Sequence, residues 1–324
     1  MRQKYFLPET HSFLRRLYCR WIERREPVPD FPRNIQIQTR PGCPSRCVFC
    51  PNARTTTKIP NVTMPMALFR RIVDECLDHP VERISPYLMC EPLLDREIGD
   101  KIAYATRRRD QVGSKAVVKI NSNGFLLDER NAKALLDSGL DRISFSVHGI
   151  VAEIYEKTMV GLQLDRVLKN IDRFLELKRS GNYKKPRVRV TMVKTKYLEP
   201  QLPEIFRYWG ERDVKVNVRG LENRANPNVH ESMQKFNTRG WEKFSWCRRM
   251  FEQVYIVSTG EMVLCCVDWN RKAVMGRIGD GVAISDVWNG PVYAEMRRRF
   301  QAGDLKGTLC AGCLKEAIDE DQQE

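Results

Sequence analysis

The stretch PGCPSRCVFCPN, residues 41–52, carries three cysteines on one short loop. Three residues separate Cys43 from Cys47, and two separate Cys47 from Cys50. Thiolates are the soft ligands that iron–sulfur clusters require, so the loop predicts a cube of iron and sulfide with one iron left open. The alternative from the residues alone is a zinc site that a distant His or Cys completes.

The loop follows a predicted strand at residues 34–39, and strand and helix patterns alternate after it. A helix is predicted to begin near Thr63 and Pro65, and others to end at Gly139 and near Gly181. The alternation predicts an α/β fold, a partial (β/α)6 TIM-like barrel with a parallel sheet. Sites in such sheets lie at the carboxyl ends of the strands, which is where the loop lies. The five further predicted strands span residues 83–88, 116–121, 142–147, 187–193 and 214–219.

The cysteine loop resembles that of the radical S-adenosylmethionine (radical SAM) superfamily, whose fold is a partial six-stranded barrel. The resemblance spans residues 34–225 and implies a [4Fe–4S] cluster whose open iron binds the amino and carboxylate groups of S-adenosylmethionine (SAM). It also implies reductive cleavage of SAM to a 5'-deoxyadenosyl radical, which takes hydrogen from an unactivated carbon. An external donor such as flavodoxin or ferredoxin would supply the electron.

The resemblance also implies cofactor-binding roles. Phe49 holds the position of the aromatic residue beside the adenine, and LMCEPLLD, residues 88–95, resembles the family's Gly-Gly-Glu motif, with Glu91 receiving the amino group. This motif departs from the family because Met89 and Cys90 replace the glycines. NSNGF and SFSVHG resemble a turn and a ribose-contacting strand end, although their residues are equally consistent with ordinary turn and strand positions. The positions concerned are Phe49, Met89, Glu91, Asn123 and Ser146.

A second cysteine group lies near the end of the chain. Cys247 and Cys265 fit the pattern CX12GX4C through Gly260, and Cys310 and Cys313 form a CX2C pair. Four thiolates suit a second [4Fe–4S] cluster or a tetrahedral zinc equally. The position behind a radical domain resembles the SPASM/twitch extension, which implies one auxiliary cluster that carries an electron. The whole is similar to radical dehydrogenases that modify aminocyclitols and sugars.

These boundaries divide the chain into an N-terminal basic helical extension at 1–33, the barrel at 34–225 and the auxiliary cluster domain at 226–324. Cys266, beside Cys265, is an alternative ligand. Three side chains are candidates for catalysis: Cys90 and Cys266 as hydrogen-atom donors and His148 as a base. Each is also consistent with ordinary packing or a structural hydrogen bond. Glu222 and Arg224 follow the sixth strand and are candidates for ligand contacts.

The chain of 324 residues has a formal charge of +14, which favours an anionic substrate over a neutral one. No nucleic-acid-binding signature is present, so nucleic acid is an improbable partner. The amino terminus lacks a secretory signal and no apolar run is long enough to span a membrane, so the cytoplasm is predicted. Eleven cysteines in a reducing compartment favour metal or catalysis over disulfides.

The sequence therefore predicts a radical SAM oxidoreductase or epimerase acting on a small polar molecule such as a sugar, aminocyclitol or nucleotide-linked compound. The first alternative is a maturase of ribosomally made peptides, disfavoured because few residues precede the first strand. The second is a non-catalytic zinc-binding interaction protein.

Overall fold

The computed structural model of the protein describes residues 28–54, 59–195, 197–220, 247–279 and 281–313, with the backbone alone at 53 and 54. The predicted N-terminal helix, Glu222 and Arg224 lie outside these ranges. Among the described residues no helix is long and apolar enough to cross a membrane.

The six predicted strands are confirmed and form one parallel sheet in the order β6-β5-β4-β3-β2-β1. Every neighbouring pair in this series is parallel, as expected for strands joined by helical crossovers. Apolar side chains on one face of the strands, such as Val118, Ile120 and Phe145, are fully buried beneath the helices. The strands are β1 (Asn34–Ile37), β2 (Arg83–Ser85), β3 (Val117–Ser122), β4 (Arg142–Ser146), β5 (Arg187–Val193) and β6 (Lys215–Arg219).

Helices connect these strands and cover their outer face, which confirms the partial barrel. Helix α3 ends before Gly139, whose φ of +72° is the left-handed conformation that glycine adopts at low cost. The helices are α1 (Met66–Leu77), α2 (Ile98–Gln111), α3 (Glu129–Asp137), α4 (Ala152–Thr158), α5 (Leu164–Ser180), α6 (Leu202–Gly210), α7 (Arg248–Phe251), α8 (Ile284–Trp288) and α9 (Pro291–Ala302).

The C-terminal hairpin extends the barrel sheet. Strand β7 (Gln253–Ile256) pairs in parallel with β1, and β8 (Glu261–Val263) and β9 (Val274–Arg277) follow in antiparallel order. The stretch YIVSTGEMVLCC, residues 255–266, predicts a hairpin with a Thr-Gly turn, but it does not predict this pairing. Because β1 leads into the first cysteine loop and β8 leads to Cys265, one continuous sheet carries both cysteine groups.

Gly260 forms the turn between β7 and β8. Its φ is +88°, and a side-chain Cβ there would lie 2.7 Å from the carbonyl oxygen of Ile278. The turn therefore needs glycine for two reasons, conformation and close approach. This explains in physical terms why glycine stands in the CX12GX4C spacing.

Candidate active site

The first cysteine loop is anchored to the segment that follows helix α4. Arg46 and Val48 donate backbone hydrogen bonds to the carbonyl oxygens of Val160 and Thr158, at 2.7 and 3.0 Å. A Cβ on Gly161 would lie 2.9 Å from the carbonyl oxygen of Pro44, so the two segments are in close contact. No sequence signal pointed to residues 158–161, because their role is to hold the loop rather than to bind a ligand.

The three thiols of this loop face a common region. Burial raises the pKa of the Cys43 thiol well above its ordinary value, and the nearby Glu91, Cys47 and Cys50 raise it further. Ser45 Oγ lies 3.0 Å from Cys47 Sγ, and Met159 Sδ lies 3.2 Å from it. A thiol such as Cys43, whose ionisation is opposed by burial and by neighbouring negative charge, suits a ligand that supplies positive charge, as an iron–sulfur cluster does. The donor set therefore fits the predicted cluster.

Glu91 is tied to this loop through Asn123. The Glu91 carboxylate, 2% exposed, accepts hydrogen bonds from the backbone N–H of Asn123 at 2.7 Å, from Ser122 Oγ at 2.8 Å and from the backbone N–H of Leu93 at 3.2 Å. Asn123 Nδ2 in turn donates to Cys43 Sγ at 3.5 Å. Burial raises the pKa of Glu91 to about 7, against the lowering effect of these hydrogen bonds. Glu91 thus fixes the turn that carries Asn123; its contact with the cofactor amino group stays a prediction.

Met89 stands in a left-handed conformation with φ of +49°. Glycine adopts that conformation at little cost, which accounts for the family's glycine at this position. The buried Gln38 side chain holds the segment, because its Nε2 donates to the carbonyl oxygens of Leu88 at 3.0 Å and Met89 at 3.4 Å. A non-glycine residue thus keeps the backbone shape of the motif.

Phe49, His148 and Ser146 lie along the same rim. The Phe49 ring meets the His148 ring edge-on, with centroids 4.7 Å apart. His148 Nδ1 accepts a hydrogen bond from the backbone N–H of Val193 at 2.9 Å, so the ring is oriented by strand β5. Ser146 is half-buried and pairs with Thr191 across β4 and β5. The structure brings these three residues near the loop; their roles stay predictions.

The second cysteine group gathers around Cys247. The Cys265 thiol is hydrogen-bonded to Cys266, and this bond, burial and the neighbouring Cys247 raise its pKa. Burial, Cys247 and Cys313 raise the pKa of Cys310 to about 12. The four predicted ligands therefore share one neighbourhood, and their donor set suits a cluster that lacks an open iron. Within the described ranges, no three His, Cys, Asp or Glu side chains converge closely enough to hold a single metal ion.

An apolar cluster brings residues of the barrel motif and of the C-terminal hairpin together. The cluster consists of four buried side chains, Leu88, Tyr255, Val257 and Val263. Met89, from the barrel motif, and Cys266, from the C-terminal region, pack against it. Tyr87, next in the chain, lies close enough to Cys90 and Cys266 for ionisation of either thiol to raise its pKa. The two candidate hydrogen-atom donors are thus neighbours of one side chain, although 175 residues separate them in the sequence.

A cavity of about 380 Å³ opens between the barrel rim and the hairpin. Gln38, Gly42 and Met89 line it from the barrel, and Trp269 and Arg271 from the hairpin. The Trp269 Nε1–H group is buried and has no hydrogen-bond partner among the residues described. Sequence reasoning missed Trp269 and Arg271, because only the β1–β7 pairing brings them to the rim.

Two family models match the chain. Residues 37–193 match the Radical SAM superfamily, and residues 247–314 match SPASM, an iron–sulfur cluster-binding domain. The chain carries a radical SAM domain followed by a SPASM domain. The mixed parallel sheet and its C-terminal extension agree with this assignment.

Curated relatives of this radical SAM protein are of two kinds. It is 26% identical over 198 residues to a GTP 3',8-cyclase of Limosilactobacillus fermentum, covering 58% of this chain and 53% of the relative. It thus spans about half the length of that relative. It is 20% identical over 300 residues to an S-adenosyl-L-methionine-dependent 2-deoxy-scyllo-inosamine dehydrogenase of Niallia circulans, covering 89% of this chain and 95% of the relative.

Solved structures share the fold at low identity. BtrN in complex with AdoMet and 2-DOIA is 18% identical, with a TM-score of 0.57 over 87% of this chain and 91% of that chain. The structure titled native anSMEcpe with bound AdoMet and Cp18Cys peptide is 15% identical, with a TM-score of 0.62 over 88% of both chains. These likenesses support the radical SAM and SPASM architecture.

Proposed function

We propose that this radical SAM enzyme is an oxidoreductase that dehydrogenates a hydroxyl-bearing carbon of a small polar molecule, with SAM and two [4Fe–4S] clusters as cofactors. Cys43, Cys47 and Cys50 would hold the first cluster, and Cys247, Cys265, Cys310 and Cys313 the second. The bound cofactors supply a carbon-centred radical that removes one hydrogen atom, and an acceptor for the electron that the substrate then releases. An external flavodoxin or ferredoxin is the proposed electron donor.

The parallel pairing of β1 with β7 carries the proposal. Strand β7 lies beside β1, and the apolar Leu88–Tyr255 cluster packs against both Met89 of the barrel motif and Cys266 beside the predicted ligand Cys265, which supports a second cluster near the rim. Removing a hydrogen atom, an electron and a proton converts an alcohol to a ketone. The electron needs an acceptor close to the substrate, and the second group lies where such an acceptor is useful.

The chain's own residues orient the reactants. Gln38 fixes the Leu88–Met89 backbone, Asn123 donates toward Cys43, and Phe49 presents an apolar wall. His148 is 7% exposed, and its Nδ1 accepts a hydrogen bond from the Val193 N–H, so the neutral ring carries its proton on Nε2. Its proposed role is therefore to donate a hydrogen bond to the substrate hydroxyl rather than to take its proton. Burial of these groups limits water at the site, which protects a reactive substrate from side reactions.

Epimerisation is the second outcome, and the thiols of Cys90 and Cys266 favour it. A thiol that returns a hydrogen atom to the opposite face of the substrate would leave no net oxidation. Burial raises the pKa of Cys90 to about 12, so it stays a neutral thiol, the form that donates a hydrogen atom. Solvent deuterium in the product would identify this outcome, and its loss in Cys90→Ala or Cys266→Ala would name the donor.

Peptide maturation is a further alternative, because one of the solved structures that share the fold contains a bound peptide. The two kinds of curated relatives instead have names that specify a nucleotide and an inosamine. Comparing peptides with phosphorylated and unphosphorylated sugars as substrates separates these classes.

Anaerobic reconstitution with iron and sulfide tests the proposal. We expect about eight irons per chain, 5'-deoxyadenosine formation from SAM, and deuterium transfer from a labelled substrate into that product. Cys43→Ala should abolish SAM cleavage, whereas Cys310→Ala should keep cleavage and lose ketone formation. Cys76→Ala is the matched control, because Cys76 is buried in the core of α1, outside both groups. Bound zinc without SAM cleavage would refute the proposal.

A further inference from the structure

The interior of the partial barrel is lined by alternate residues of its strands, and we call this interior the lumen. In β3, Val118 and Ile120 are buried beneath the outer helices, so Lys119 between them faces the lumen. The register pairs Lys119 with Arg142, and Arg142 with Arg187. Residues directly opposite one another share a face of a sheet, so the lumen side of every strand can be assigned.

The lumen side carries positive charge on five strands. Arg83 is level with Val117, two positions from Lys119, and therefore shares its face. Arg189 lies two positions after Arg187, and Arg219 is level with Val193, four positions further along β5. Each strand from β2 to β6 thus contributes at least one cation, and Arg187 and Lys215 lie on the same face. We call Lys119 and the four arginines whose charges act on it the lumen cations: Arg83, Lys119, Arg142, Arg189 and Arg219.

No carboxylate of the described barrel strands balances this charge on the lumen side. On the strand positions that face the lumen, neither Asp nor Glu occurs. Within the part of the chain that the structure describes, none of the lumen cations forms an ion pair or side-chain hydrogen bond. Cations on the helices outside the barrel behave differently: the buried Arg109 pairs with Asp141, and Arg212 pairs with Asp172 at 2.8 Å.

The lumen cations act on one another. Burial lowers the pKa of Lys119 to about 8, and the positive charges of Arg83, Arg219, Arg189 and Arg142 lower it further. Because the lumen cations repel one another, they destabilise the folded protein. A bound anion neutralises this repulsion. Guanidinium groups match the geometry of phosphate oxygens, which favours a phosphate over a diffuse counter-ion.

Tyr87 connects the lumen cations to the rim. Lys119 Nζ lies 5.9 Å from the centre of the Tyr87 ring. The pKa of Tyr87 is raised to about 12 by burial, lowered by Arg83 and Arg219, and raised by Cys266 and Cys90. The same phenol therefore neighbours cations on one side and the rim thiols on the other. A small-molecule substrate would reach from the lumen cations to the rim thiols.

We propose that the lumen cations bind the phosphate or pyrophosphate group of a phosphorylated substrate, whose reactive carbon then points toward Cys90 and Cys266 at the rim. This inference rests on the proposed function for the identity of the reaction, and it names the substrate class. It would place the charged end of the substrate deep in the barrel and the oxidisable end beside the cofactors.

Inorganic pyrophosphate is the probe for the test, added to the reconstituted full-length protein. We expect it to raise the melting temperature and to bind in calorimetry, with inorganic phosphate weaker and sulfate at equal ionic strength without effect. The double variant Lys119→Gln/Arg189→Gln should bind pyrophosphate at least about tenfold more weakly, as expected for lost charged hydrogen bonds. Arg130→Gln, an exposed position on α3, removes a charge and should bind as wild type.

Folding of the double variant is checked by circular dichroism, and the single variants Lys119→Gln and Arg189→Gln are measured in parallel. Equal pyrophosphate affinity in wild type and variants, or equal stabilisation by sulfate, would overturn the inference. SAM cleavage without substrate, followed as 5'-deoxyadenosine, keeps the two proposals apart. Cleavage without pyrophosphate binding refutes only the lumen site, and binding without cleavage refutes only the proposed reaction.

Discussion

Gln38 and Arg271 are hydrogen-bonded side chain to side chain, Arg271 Nη2 to Gln38 Oε1, at 3.1 Å. The first lies at the end of β1 and the second in the loop between β8 and β9, so the bond joins the barrel to the SPASM hairpin. Arg271 also lies 3.3 Å from Glu261, and burial lowers its pKa against the effect of that carboxylate. A single glutamine thus couples the Met89 backbone to the region of the second cysteine group.

Replacing Gln38 tests that coupling. Gln38→Leu removes the hydrogen bonds of Gln38 to the carbonyl oxygens of Leu88 and Met89 and to Nη2 of Arg271, whose Nη1 keeps Glu261. We therefore expect a loss of about 2–4 kcal/mol in the free energy of unfolding and weaker SAM binding. Gln163→Leu, at an exposed site without a side-chain capping bond, is the control. Urea denaturation and equilibrium dialysis measure both; equal behaviour of the two variants would contradict the coupling.

At Met89, the glycine variant should be more stable than the alanine variant, which is the reverse of the usual order. Both Met89→Ala and Met89→Gly lose the side-chain packing, but only glycine relieves the positive φ, by about 1 kcal/mol. The glycine variant should therefore be the more stable of the two in thermal unfolding. At Met192 in β5, which pairs in regular register with Val218 of β6, alanine should be the more stable. The same order at both positions would show that the Met89 conformation is not strained.

Gly260 should tolerate alanine less well than Gly281. Both glycines have φ near +89°, at +88° and +89°, but a Cβ at Gly281 meets nothing within 4 Å. Gly281→Ala should cost about 1–2 kcal/mol in the free energy of unfolding, and Gly260→Ala about 1–3 kcal/mol more because it crowds Ile278. Gly260→Ala should also lower the iron content, since the turn carries β8 toward Cys265. Equal losses in both variants would argue against the close contact.

Asn123 should tune the first cluster. Removing its N–H donor in Asn123→Ala takes a hydrogen bond from Cys43 Sγ, and such bonds to ligating sulfur raise the reduction potential. We therefore expect a lower potential for the first cluster in a redox titration followed by electron paramagnetic resonance. The second cluster provides an internal control and should keep its potential. An unchanged first potential would show that the contact has no electronic effect.

Lys119 should make stability depend on pH. Its folded pKa of about 8 lies below the ordinary value of 10.5, so the folded state disfavours its charge. The charged Lys119 therefore destabilises the folded state fully below pH 8, and this destabilisation disappears as the pH rises from 8 to 10.5. Lys119→Gln should therefore stabilise the ligand-free protein by about 1–2 kcal/mol at pH 7, after allowing for solvent screening, and by nothing at pH 10.5. Lys115→Gln, exposed in the preceding turn, should show no such trend.

Local patterns were sufficient for much of the fold. The strand from Arg187 to Val193 and the helix stop at Gly139 follow from side-chain alternation and from glycine, both of which act over a few residues. The cysteine spacings similarly pointed to both groups of thiols. These features depend on neighbours in the chain, which a single sequence displays.

Long-range relationships could not be predicted in the same way. The β7 sequence shows an apolar strand, but nothing in it specifies β1 as its partner. The contacts of Gln38 with Arg271, and of Tyr87 with Cys266, exist only after that pairing. The lumen cations were visible as residues, yet their common face depends on the register of five strands. The part of the site that depends on which strands pair, and in which register, therefore cannot be predicted from local periodicity.

The β1–β7 pairing also has a consequence for how the chain folds during synthesis. Strand β1 leaves the ribosome more than two hundred residues before β7, and its edge stays unpaired throughout that time. Exposed strand edges recruit other chains, and pairings between distant segments form slowly. A nascent or truncated chain that ends at residue 220 therefore displays an open edge beside the cysteine loop. The last third of the protein thus protects the edge of β1 against aggregation.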